Sequence, residues 1–155
     1  MKGNTKIIVV LNQLLAGELG ARDQYFQHSR MLANWGYEKM AARIAHEVED
    51  ESGHAGALIA RILFLGGTPT VVPAPLTIGK DVPSMLKNDL ASEYSVIANL
   101  RAAIAQCEAE HDYVSRQLLQ GLLSDTENDH AYWLEQQLFL LEQLGLPNYL
   151  QSQMG

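Results

Sequence analysis

A doubled spacing constrains this chain more than any other feature. Glu51–His54 and Glu127–His130 are both Glu-x-x-His pairs, and each has a single glutamate upstream at nearly the same distance. Glu18 stands 33 positions before Glu51, and Glu93 stands 34 before Glu127. The glutamates fall on apolar stripes of helical period, where leucine would be the ordinary residue. A fold that accepts this pattern is helical over long stretches and has to reconcile several buried carboxylates with one another.

The periodicity predicts four long helices, over about 5–34, 38–65, 83–111 and 114–143, with a short fifth at about 148–153. Gly36, the run Gly66-Gly67-Thr68-Pro69, and Gly145-Leu146-Pro147 supply the stops. Pro73, Pro75 and Gly79 keep the segment before the third helix non-helical, with Asp81 or Val82 as its cap and Pro83 in the first turn. The first and third connections are a few residues long, so each makes an antiparallel pair. The middle connection of about 17 residues can span roughly 55–60 Å at about 3.3–3.6 Å per residue. A helix of about 28 residues is roughly 42 Å long. The connection can therefore run the full length of a bundle and set the second and third helices parallel. The expected fold class is an all-α four-helix bundle, one domain over residues 1–155, with a long crossover and a short C-terminal fifth helix.

In that fold each glutamate lies near the middle of its helix, and hairpin closure levels Glu18 with Glu51 and Glu93 with Glu127. A residue and its neighbour three positions on share one helical face, which adds His54 and His130 to the same height. An unpaired buried carboxylate is costly enough to be protonated in most settings. Two divalent cations would cancel four such charges, and mixed carboxylate–imidazole ligands suit iron, manganese or zinc. The pair Glu108–His111 is also Glu-x-x-His, but it lacks the upstream glutamate, and a histidine at that helix end is accounted for by the helix dipole.

Several classes are excluded. The net charge of −7 argues against nucleic-acid binding. No run of about 18 uncharged apolar residues marks a membrane span, and the opening residues do not read as a signal peptide. The single cysteine, Cys107, is read as a small core residue and fits a reducing compartment, so a cytoplasmic location is expected.

At these residues the chain resembles the bacterioferritins of the ferritin superfamily. The likeness runs from Met1-Lys2-Gly3 and Leu14-Leu15-Ala16-Gly17-Glu18-Leu19 through His111-Asp112-Tyr113-Val114-Ser115-Arg116 to Asn148-Tyr149-Leu150-Gln151. The one-crossover bundle with paired Glu-x-x-His motifs is the known arrangement of ferritin-like di-iron proteins. The resemblance implies a shell of 24 subunits that oxidises Fe(II) with O2 or H2O2 and stores Fe(III) mineral inside. It implies two iron ions per subunit, with Glu18 and Glu93 as terminal ligands, His54 and His130 as one ligand each, and Glu51 and Glu127 as bridges. Tyr25, two turns after Glu18, is implied to stand beside the centre as an electron donor. His46 and Asp50 match an inner-surface iron site, and a ferredoxin is the implied partner for iron release. Haem-binding members place a methionine directly after the first bridging glutamate. Here that residue is Ser52, a poor haem ligand. Haem b is therefore not expected in the homomer, which would be haem-free or would co-assemble with a haem-binding sister subunit. Two other readings stand beside this one. A rubrerythrin-like peroxidase would need a Cys-x-x-Cys pair that the chain lacks, and a metal-buffering or purely structural shell subunit would not need all six ligands.

Overall fold

The computed structural model describes residues 1–155. Helix α1, Thr5–Asn34, starts where the Asn4 side chain accepts from the Lys6 amide at 2.8 Å. It stops before Gly36, whose φ of 90° needs no Cβ penalty. Helix α2, Glu38–Phe64, returns alongside it. Helix α3, Val82–Ala109, opens with a capping box between Asp81 and Ser84 and a proline in its first turn. His111, at φ 59°, turns the chain into α4, Tyr113–Asp125, which Asp112 caps through the Ser115 amide.

The fourth rod is not the unbroken α-helix expected over 114–143. A π-turn, Thr126–Ala131, separates α4 from α5, Tyr132–Leu144. At its entry the Thr126 hydroxyl donates to the Leu122 carbonyl four residues back, a bond that loosens and bends a helical ladder. Gly145, at φ 77°, leads into the short α6, Leu146–Ser152. There the buried Tyr149 donates to Gln137 at 2.8 Å and plugs one end of the bundle.

The crossover, residues 65–81, is read as a ladder along α1. Gly3 N–H donates to the Leu65 carbonyl, Thr70 N–H to Asn12, Ala74 N–H to the Ala16 carbonyl, Thr77 N–H to Gln24 and Gly79 N–H to His28. Each step moves toward the far end of α1, so the crossover spans the bundle. It delivers α3 antiparallel to α1 and therefore parallel to α2, as its length predicts. The strap lies tight. A Cβ on Gly20 would stand 2.9 Å from the Ala74 carbonyl oxygen.

The interior is divided. One apolar cluster, including Leu11, Leu15, Leu58, Leu100 and Leu119, fills the end near Leu65. A second, including Leu32, Met40, Ile44, Leu86 and Leu134, fills the other end. Between them the four rods present buried polar side chains instead. No helix is long and apolar enough to cross a membrane.

Candidate metal centre

Burial in the polar layer is nearly complete. Glu18, Glu51, His54, Glu93 and His130 are each 6% exposed or less. They form two overlapping groups, Glu18–Glu51–His54 and Glu51–Glu93–His130, in each of which one donor atom per residue lies within 4.8 Å of the others. Glu51 belongs to both. His54 Nδ1 stands 3.7 Å from Glu18 and 3.6 Å from Glu51. His130 Nδ1 stands 2.8 Å from Glu51 and 3.5 Å from Glu93. The two imidazoles stack with centroids 5.7 Å apart.

Most of the unmet bonding in this layer belongs to the same residues. One carboxylate oxygen each of Glu18, Glu51 and Glu93, and Nδ1 of both histidines, are buried without a hydrogen-bond partner. Buried polar atoms are ordinarily paired. Five orphaned donor atoms converging from α1, α2, α3 and the π-turn are a ready coordination shell for cations. Tyr25 borders the layer from α1. Its hydroxyl donates to Glu93, and burial, then the charge of Glu93, pushes its pKa well above the usual value.

Charge in the layer is balanced by protons. Burial, together with hydrogen bonding and repulsion from Glu51, raises Glu18 to about 8. Burial also works against ionised Glu51, but the Glu18 carboxyl and the His130 and His54 imidazoles that face it overcome this and leave Glu51 below its usual value. For the histidines burial opposes the charge, and the surrounding carboxylates prevail, lifting His54 to about 10 and His130 to about 11.

Of the six residues expected to converge, the structure brings together five. Glu127 stands outside the layer. Its carboxylate accepts from Arg101 Nη2 at 2.7 Å, and its side chain is 38% exposed. The cause is the π-turn. In an α-helix, positions three apart lie about 60° apart around the axis and share a face. The wider turn opens that angle, so that with His130 facing in, Glu127 faces out. The buried position passes to Thr126, which is fully enclosed.

Other side chains reach the layer without having been marked by the spacing. Glu47, 1% exposed, approaches His130 Nε2 at 2.8 Å and is paired with Arg43. Asp125 lies 3.2 Å from His54 Nε2. The signal for Glu47 was available, since positions 47, 51 and 54 follow one helical stripe. His46 and Asp50 meet at 3.5 Å, with His46 56% exposed. Ser52 points to the outside of α2 and donates to the Val48 carbonyl at 2.8 Å.

Comparison with known proteins places the chain beside proteins of one fold family. A family model described as a ferritin-like domain matches residues 8–144. A bacterial ferritin of Synechocystis sp. is 59% identical over 156 residues, covering 100% of both chains. A bacterial ferritin of Neisseria meningitidis serogroup A is 54% identical over 154 residues, covering 99% of this chain and 100% of its own. A bacterioferritin of Brucella melitensis biotype 1 is 42% identical over 150 residues, covering 96% of this chain and 92% of its own.

Proposed function

The chain belongs to the ferritin superfamily, and on that premise we propose that it stores iron, oxidising Fe(II) at the buried carboxylate–histidine layer before depositing it as Fe(III). The observation that carries the reading is the set of orphaned donor atoms on Glu18, Glu51, His54, Glu93 and His130. Glu18 and His54 would hold one Fe(II), Glu93 and His130 the other, with Glu51 between them.

This donor set fits iron. Hard carboxylate oxygens and borderline imidazole nitrogens suit Fe(II), and carboxylates continue to suit the ion after it loses an electron. Each of two Fe(II) ions gives up one electron. O2 takes the two electrons and two protons to become H2O2, or H2O2 takes them to become two waters. The chain's own part is position and charge. His54 and His130 give up the protons that the carboxylates hold on them, so that their lone pairs face the incoming cations. Tyr25 fixes one oxygen of Glu93 through its hydroxyl.

Around this centre the reading includes a shell of 24 copies and a cytoplasmic setting. His46 and Asp50 would serve as an inner-surface iron site, and a ferredoxin would supply electrons for release. Ser52 in place of a methionine makes the homomer haem-free, or a partner of a haem-binding sister subunit. A Soret band of one haem per two subunits in the homogeneous protein would overturn that part.

The test of the main reading is Fe(II) added without air, followed by air, with near-ultraviolet absorbance of Fe(III) as the readout. The wild type is expected to respond fast and the Glu18→Ala and His130→Ala variants slowly. Equal rates in all three would refute the assignment.

A further inference from the structure

The geometry points to a further divalent-cation site, built from Glu47, Asp50 and Asp129 with His130 Nε2, on the outer side of His130 from the centre proposed above. One donor atom from each of these four residues lies within 4.8 Å of the others. From His130 Nε2 the distances are 2.8 Å to Glu47 Oε2, 3.3 Å to Asp50 Oδ2 and 3.9 Å to Asp129 Oδ2.

An acidic cluster alone would be an ordinary wet surface. Two observations set this one apart. Glu47 is 1% exposed, and its Oε2 has no hydrogen-bond partner. It lies near His130 Nε2 in distance but not in the alignment a hydrogen bond needs. Its other oxygen is already engaged by Arg43, which also donates from Nη2 to Asp129 Oδ1 at 3.1 Å. The guanidinium in turn lies over Trp133, 4.7 Å from the ring centroid. Arg43 therefore uses up one oxygen of Glu47 and one of Asp129 and leaves the far oxygens of both toward His130. Three carboxylates against one guanidinium leave a charge that one divalent cation neutralises.

Access is also present. Asp50 and Asp129 line an open hollow of about 360 Å³, together with Glu49, Gly53, His54 and Asp125 and no apolar side chain. The π-turn is what makes the site. It sets Asp129 and His130 side by side against α2 while Glu127 turns away. Asp50 Oδ2 also lies 3.5 Å from His46 Nε2, so the new site sits inward of that exposed pair.

The chemical class is a borderline divalent ion, Fe(II), Mn(II), Co(II) or Zn(II), because the donors are oxygens plus one imidazole nitrogen. A neutral imidazole has one free lone pair. An ion here therefore competes with one in the Glu51–Glu93–His130 group for His130, and the oxygens alone hold it when the centre is full. The proposal rests on the functional reading only through that shared ring.

Crystals of the full chain loaded with Co(II), which O2 does not readily oxidise in such sites, test it by anomalous diffraction at the cobalt edge. A peak is expected among Glu47, Asp50 and Asp129 in addition to those of the centre. Asp129→Asn, at a half-exposed position, is expected to remove that peak and leave the peak at Glu18–Glu51–His54. Equilibrium dialysis of the same variant should show one Co(II) per subunit bound at least tenfold more weakly. A loaded centre with nothing at Glu47–Asp50–Asp129, or a peak there that survives Asp129→Asn unchanged, overturns the proposal. A filled outer site with an empty centre would instead overturn the functional reading and leave this one standing.

Discussion

At the scale of single residues, Glu51 and Glu127 look equivalent in sequence and stand in opposite environments. Glu51 is shared by both donor groups and nearly sealed from solvent. Glu127 is a surface partner of Arg101, and an exposed ion pair contributes on the order of 0–1 kcal/mol. Glu127→Gln is therefore expected to leave the initial rate of Fe(II) oxidation within about threefold of wild type. Glu51→Gln should lower it by more than about tenfold, since even indirect supporters of metal ligands cost that much. Stopped-flow absorbance of the two variants decides the point, and the reverse ranking would mean that Glu127 leaves Arg101 to work at the centre. The small residues of the strap are as constrained as the ligands. A Cβ on Gly79 would stand 2.5 Å from the Met85 backbone nitrogen, which cannot retreat without disturbing the first turn of α3. Gly79→Ala is expected to cost about 1–3 kcal/mol in urea unfolding, as overpacking does.

Among the elements, the π-turn decides which residues face the centre, and it is the one element hidden from sequence. Helices, caps and the crossover were legible because each depends on local signals: the 3–4 stripe, Asp81 before Pro83, Gly36 and Gly145 at the stops. The five predicted residues that converge, Glu18, Glu51, His54, Glu93 and His130, were legible for the same reason. The π-turn adds one residue to a turn without changing composition, so Thr126-Glu127-Asn128-Asp129-His130 reads as an ordinary helical segment. Its consequence, the exit of Glu127 and the arrival of Asp129 beside Glu47, could not be read from a period. Glu47 was missed for a different reason, since a glutamate one turn before another is common on solvated helices. The role of the extra residue can be tested by removing it. Deletion of Thr126 is expected to restore a continuous α-helix and to turn the following glutamate toward Glu51 and Glu93. A crystal structure of the variant that kept the wide turn would sink this account.

For the whole molecule, the protons held in the polar layer link stability to pH. Glu18, at about 8 instead of 4.5, and His54 and His130, at about 10 and 11 instead of 6.5, are all raised in the folded chain. The folded state then binds more protons than the unfolded one, so their contribution falls as pH rises. For Glu18 the loss runs from about 4.5 to 8, and for the histidines from about 6.5 to between 10 and 11. Glu51, held below its usual value, works in the opposite direction only in acid. Metal loading shifts with the same protons, since cations displace them more readily as pH rises. The gain in Tm on adding Co(II) is therefore expected to be larger at pH 8 than at pH 6, and an equal or smaller gain at pH 8 would contradict the charge state derived for the layer. The crossover ladder along α1 has a last consequence. It joins two helical hairpins of nearly equal length, and a cut at the exposed Val71 and Val72 would leave Glu18, Glu51 and His54 on one fragment and Glu93 and His130 on the other. Neither fragment owns a complete centre or a closed core. The protein is in effect a heterodimer written on one chain, and the strap's task is to hold the two halves at high effective concentration while iron reports whether they have met.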